Sequence, residues 1–172
     1  MENKNHWYDG WFYDKIIAPN QDRMFGEIKN IIEPNSNVID VGCGTGRFSF
    51  SIADKVNKVV GVDLSSRNIT TAIKTLQKNS NNKISFLHTS LAKLISQNHH
   101  YDYAVMTYVI HEVNPEDRIA LLGEMTQIAN KIIIGDYMVP INKGFWSMLN
   151  VIVEYLAGKE HYANFKDFTA NH

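Results

Sequence analysis

Cysteine is nearly absent: Cys43 is the single one in 172 residues. That excludes an intrachain disulfide framework and fits a reducing compartment. Neither sign of charge is in excess, since seventeen Lys and Arg face eighteen Asp and Glu, for a formal net charge of −1. With no long basic run, the electrostatic footprint of a nucleic-acid binder is missing. No apolar run approaches the ~20 residues of a membrane-spanning helix. The opening M-E-N-K-N-H-W-Y-D-G lacks the apolar centre of a signal peptide. A cytoplasmic protein with no nucleic-acid partner and no membrane span is expected. The pair His99-His100 has no cysteine or acid at ligand spacing, so no metal is expected either.

What is present is a globular composition, 44% hydrophobic and 20% charged, in a length that suits one domain with a full core. The chain is organised around Val38–Phe48, V-I-D-V-G-C-G-T-G-R-F. The run Val38–Val41 reads as a buried parallel strand, and Gly42, Gly44 and Gly46 then alternate with small residues before a helical pattern from Arg47. A strand feeding a glycine-rich turn and a helix exposes backbone N–H groups that a ligand can approach closely. Asp63 closes a second apolar run, Val59–Val62, twenty-one positions after Gly42, where a carboxylate would accept bonds from ribose hydroxyls.

Further strands are expected at Ile84–Leu87, within Tyr103–Ile110 and at Lys131–Gly135, with helices between them. Met24, Phe25, Ile28, Ile31 and Ile32 form one helical stripe, and Ile119, Leu122, Met125 and Ile128 another. Asn114-Pro115-Glu116-Asp117 reads as a helix start, with a cap residue, proline at the first position and acids in the first turn. This alternation predicts an α/β fold, a doubly wound, mostly parallel sheet in the order 3-2-1-4-5. Ligands bind such sheets beyond the strands' carboxyl ends. The expected organisation is a single domain: an N-terminal cap and helix over 1–33, a cofactor-binding core over 34–140 and a C-terminal helical segment over 141–172.

Two cofactor classes use a glycine loop of this kind. In the dinucleotide fingerprint G-x-G-x-x-G the third glycine falls where this chain has Arg47. Here the pattern is D-x-G-x-G-x-G, and Asp40 before the glycines suits a ligand presenting an ammonium group better than a pyrophosphate. Val38–Phe48 resembles the first motif of class I S-adenosylmethionine-dependent methyltransferases. Gly61-Val62-Asp63-Leu64-Ser65 is similar to their second motif, and Tyr101–Val105 with Ile110-His111 to their fourth-strand region. The likeness, of the small-molecule type, covers roughly Asn30 to Pro140.

That resemblance implies S-adenosyl-L-methionine as cofactor and S-adenosyl-L-homocysteine as product. It implies that Asp40 and the loop Gly42, Cys43, Gly44, Thr45 and Gly46 hold the methionine part, with Asp63 on the ribose and Leu64 beside the adenine. Ser90 stands where the family usually has an aspartate near the adenine amino group, with Leu91 next to it, and Thr107 faces the methyl-bearing end. Cys43 reads as a small residue required by the turn rather than a nucleophile.

Methyl transfer from a sulfonium needs an acceptor held in line and water excluded, and a base only if the acceptor must lose a proton. His111 is the candidate base. Tyr108, Tyr137 and His161 are candidates for the acceptor side, as are Tyr8 and Trp11 from an aromatic N-terminal cluster that also holds Trp7, Phe12 and Tyr13. No run after Gly135 reads as the antiparallel hairpin that ends the family's sheet, so that hairpin is expected to be missing, through truncation or natively. A helix over 145–157 is apolar nearly all round, which favours burial against a second copy as a homodimer. The leading expectation is methyl transfer to a small-molecule acceptor. Its rivals are a cofactor-binding subunit without turnover and an NAD-dependent oxidoreductase.

Overall fold

A computed structural model of the chain describes residues 18–136 and 159–171. Helix α1, Ala18–Ile31, leads into strand β1, Asn37–Val41. Then follow α2 (Arg47–Ile52), β2 (Lys58–Asp63), α3 (Ser66–Asn79), β3 (Ile84–His88), α4 (Leu91–Ser96) and β4 (Tyr101–Thr107). A short 3-10 turn, Ile110–Glu112, precedes α5 (Pro115–Ile128), β5 (Ala129–Gly135) and α6 (Lys159–Asn171). The five described strands form one sheet in the order β3-β2-β1-β4-β5, with every pairing parallel. This is the expected fold class.

β1 is central because its residues are apolar on both faces. Ile39 pairs with Val60 on one side and Ala104 on the other, and Val38, Ile39 and Val41 are buried. One face carries α1, α2 and α3 through Phe25, Ile28, Ile32, Phe48, Ile52 and Ile69; the rings of Phe25 and Phe48 meet edge-on at 5.4 Å. The other face carries α4 and α5 through Leu91, Leu94, Met125 and Ile128. Each such side chain contributes about 2 kcal/mol by leaving water. Gly135 lets α1 lie close to β5, since a Cβ there would stand 2.6 Å from the Met24 sulfur.

Two residues of the expected stripes fall outside the core, Ile31 at 62% and Ile119 at 79% exposure. Ile119 precedes Ile128 by nine residues, and at about 100° per residue that places it half a turn away from the buried face. The strand boundaries also differ: β4 begins at Tyr101 and ends at Thr107, because the chain turns into the 3-10 segment at Ile110. The N-terminal aromatic cluster, Tyr137 and the apolar 145–157 helix lie outside the described residues. Among the described residues no helix is long and apolar enough to cross a membrane.

Candidate functional site

Strands on either side of β1 run outward in opposite order, so β1 and β4 leave a crevice at their carboxyl ends. There the chain turns sharply. Gly42 (φ +69°) and Cys43 both donate to the Val62 carbonyl, at 2.9 and 3.0 Å, which bends the loop toward β2. A Cβ on Gly42 would collide with Val109 at 2.5 Å, and one on Gly46 (φ +88°) with the Phe86 ring at 2.4 Å. Gly44 differs. Its φ is +55°, but no described residue lies within 4 Å of where its Cβ would be, so bare backbone faces the cavity.

Asp63 fastens this loop to the end of β2. Its Oδ2 accepts from Gly44 N at 2.8 Å and its Oδ1 from Ser65 N at 2.7 Å. Ser65 in turn caps α3, accepting from Asn68 N at 3.2 Å. The backbone cradle is therefore preorganised before any ligand arrives.

A cavity of about 510 Å³ opens over the loop, within the range of small-ligand sites. Gly42, Cys43, Gly44, Thr45, Asp63 and Leu64 line it, and so do Thr107 and Tyr108 from the end of β4. Tyr108 holds a left-handed φ of +55°, unusual for an aromatic residue, and its N–H donates to the Gly135 carbonyl at 2.8 Å. Burial and the Asp136 charge push its phenol pKa up. Among the charged residues of the lining acids outnumber bases: Glu112, Asp117 and Glu124 join Asp63. Arg47 is the one basic residue of the lining among the described residues, and it pairs with Asp22 at 2.6 Å.

Several expected site residues are placed elsewhere. Asp40 is fully buried behind the loop and absent from the cavity walls; its Oδ2 accepts from Ser49 Oγ at 2.6 Å, while Oδ1 has no partner among the described residues. Burial, with the Asp63 charge adding to it and the Ser49 bond opposing, raises its carboxyl pKa to about 7. Gly46 serves the turn and not the cavity surface. Ser90 and Leu91 also fall outside the lining, Leu91 being buried in the α4–α5 core. Cys43 is buried and its thiol is pushed well up by burial, which makes it a poor nucleophile.

His111 does not line the cavity. It is 1% exposed, with Nδ1 2.7 Å from Asp136 Oδ1 and its backbone N–H toward Asp136 Oδ2 at 3.4 Å. The rings of Phe165 and Phe168 pack against it from α6. His161 falls within α6, with its side chain outside the described set. His100 meets Asn130 at 2.9 Å, and no described cluster of three or more His, Cys, Asp or Glu is placed to hold a metal ion.

Gln21 and Phe25 from α1 also line the cavity, as do Val109 and the acidic wall, none of them expected there from the sequence. Gln21 carried a signal: it lies in helical phase with Phe25 and Ile28, a polar group on an apolar stripe, and it is buried.

Residues 38–131 match the family model described as a methyltransferase domain. The demethylmenaquinone methyltransferase of Bacillus cereus is 24% identical over 147 residues, 80% of this chain and 61% of that protein. The mitochondrial ubiquinone biosynthesis O-methyltransferase of Dictyostelium discoideum is 31% identical over 75% of this chain and 44% of its own length. The chain thus spans about half of the length of these curated relatives. Among solved structures, magnesium protoporphyrin IX methyltransferase from Synechocystis PCC 6803 with bound SAM superposes with a TM-score of 0.62 at 24% identity, covering 74% of this chain and 65% of that one.

Proposed function

We propose, from the premise that this chain belongs to the methyltransferase domain family, that it uses S-adenosylmethionine to methylate a small-molecule acceptor. The observation that carries this reading is the acid-walled cavity over a bare glycine backbone. A sulfonium and an ammonium are cationic, and Asp63, Glu112, Asp117 and Glu124 favour them; a pyrophosphate among those carboxylates would be repelled. The open space at Gly44, which a Cβ would fill, fits a ligand in close contact with the loop. The relatives, named as a demethylmenaquinone methyltransferase and a ubiquinone biosynthesis O-methyltransferase, support a small acceptor.

In this reading the cofactor supplies both the electrophilic methyl and its own leaving group. The chain's task is placement. Asp63 holds the Gly44 and Ser65 backbone and offers its carboxylate rim to a ribose, while Leu64 gives an apolar surface for the adenine. Asp40 stays behind the loop, hydrogen-bonded to Ser49, and does not line the cavity. Tyr108, fixed in its strained conformation by Gly135, forms the wall nearest the acceptor side. His111 enters as the group that ties the segment after β4 to Asp136, rather than as the base.

Incubation with methyl-tritiated S-adenosylmethionine and a panel of phenolic, amine and quinol-type acceptors tests the proposal. Label is expected in an organic product, with transfer lost in Asp63→Ala. Cofactor binding without transfer to any acceptor would favour a non-catalytic cofactor-binding subunit.

A further inference from the structure

No described residue of α6 lines the cavity, yet two buried polar side chains link α6 to the backbone that does. Asn164 Nδ2 donates to the Glu112 carbonyl at 3.0 Å and to Asn114 Oδ1 at 2.9 Å. Arg118 Nε donates to the Val113 carbonyl at 3.1 Å, and its two terminal nitrogens reach back to α6, to the Asn164 carbonyl at 3.1 Å and Asp167 Oδ2 at 2.8 Å. Its guanidinium also lies 5.6 Å from the centre of the Phe168 ring. Glu112, Val113 and Asn114 are consecutive, and all three line the cavity.

Stability alone is a weak reason for this arrangement. Asn114 sits at the start of α5, where an asparagine side chain ordinarily caps the helix, a contribution of about 1 kcal/mol. Its side chain makes no cap bond and is turned to Asn164 instead. A local rule is broken at the wall of the site, which is where function is usually served. We propose that Asn164 and Arg118 are positioning residues: α6 clamps the 112–114 wall in its ligand-ready form, so that filling the cavity and docking α6 reinforce one another. This rests on the cofactor reading above, because it needs a ligand that the wall contacts.

By linkage, a ligand that favours the clamped wall must also favour docked α6. Hydrogen–deuterium exchange on the full chain, with and without saturating S-adenosylhomocysteine, reads this directly. Slower exchange is expected at Gly42–Gly46, where the ligand sits, and also across α6, which it does not touch. Asn164→Asp keeps the side chain's volume but removes both donors. It is expected to retain protection at the glycine loop, lose the ligand-induced protection of α6 and bind S-adenosylhomocysteine about fivefold more weakly, the equivalent of one net hydrogen bond. Protection of the loop with α6 unchanged in the wild-type chain overturns the coupling while leaving the cofactor reading intact. So does an Asn164→Asp chain that melts earlier but binds as the wild type does. Absence of protection at the loop overturns the cofactor reading and this inference with it.

Discussion

Replacing Asp40 by asparagine isolates the energetic consequence of burying an acid behind the glycine loop. The carboxyl is fully buried, has one oxygen without a partner among the described residues and has its pKa raised to about 7 against an ordinary 3.8. The folded chain keeps this proton up to about pH 7, whereas the unfolded chain releases it near 3.8. Between those values the unfolded state binds fewer protons, so stability is complete below the lower value and is lost as pH rises through the upper one. A separation of about three units corresponds to a loss of roughly 4 kcal/mol. The substituted amide is neutral throughout and keeps an oxygen for Ser49, but buries an N–H donor facing the unpartnered side, at a fixed cost of about 1–3 kcal/mol. The Asp40→Asn chain should therefore gain on the wild type by up to ~4 kcal/mol between pH 4 and pH 8. Urea unfolding of both chains at intervals across this range checks it, because surface groups such as Glu33 and Asp54 titrate alike in both and cancel. Parallel stability curves would refute the buried, proton-holding Asp40.

Three other outcomes follow from the same geometry. Gly46→Ala forces a Cβ to 2.4 Å from Phe86 at a φ of +88°, so a loss of about 3 kcal/mol in urea unfolding is expected. Gly44→Ala meets no described neighbour and should cost only about 1 kcal/mol in stability, while weakening S-adenosylhomocysteine binding far more than that in calorimetry. His111→Gln breaks a buried imidazole–carboxylate pair and should destabilise by about 3 kcal/mol. Unchanged stability with abolished methyl transfer would instead mark His111 as the base.

The strand and helix alternation was legible because the parallel strands are short apolar runs bounded by glycine and polar turns. The loop and its acid were legible because Gly42, Gly44 and Asp63 are fixed by backbone demands that few residues meet. Side-chain direction was not. The chain shows an acid at Asp40, but nothing in it says that the acid lies behind the loop with Ser49. His111 follows Thr107 closely in sequence, yet the 3-10 turn carries its ring inward against α6. Ser90 stood in the place of an expected adenine contact, while the acid wall comes from α5 and the turn before it. Such placements depend on which elements pack together in three dimensions, the helix Arg47–Ile52 for Asp40 and α6 for His111, which no local pattern encodes. Asn114 shows this most plainly: its cap signal was correct for the helix start and wrong for the side chain's partner.

The acid-walled cavity is expected to take S-adenosylmethionine and not a dinucleotide. Titration calorimetry of the chain with S-adenosylhomocysteine and, separately, with NAD tests it most directly. Saturable one-to-one binding of S-adenosylhomocysteine, weakened by about 1–3 kcal/mol in Asp63→Ala, with no binding of NAD, is the predicted result. Absence of S-adenosylhomocysteine binding, or NAD binding at equal or greater affinity, would contradict it.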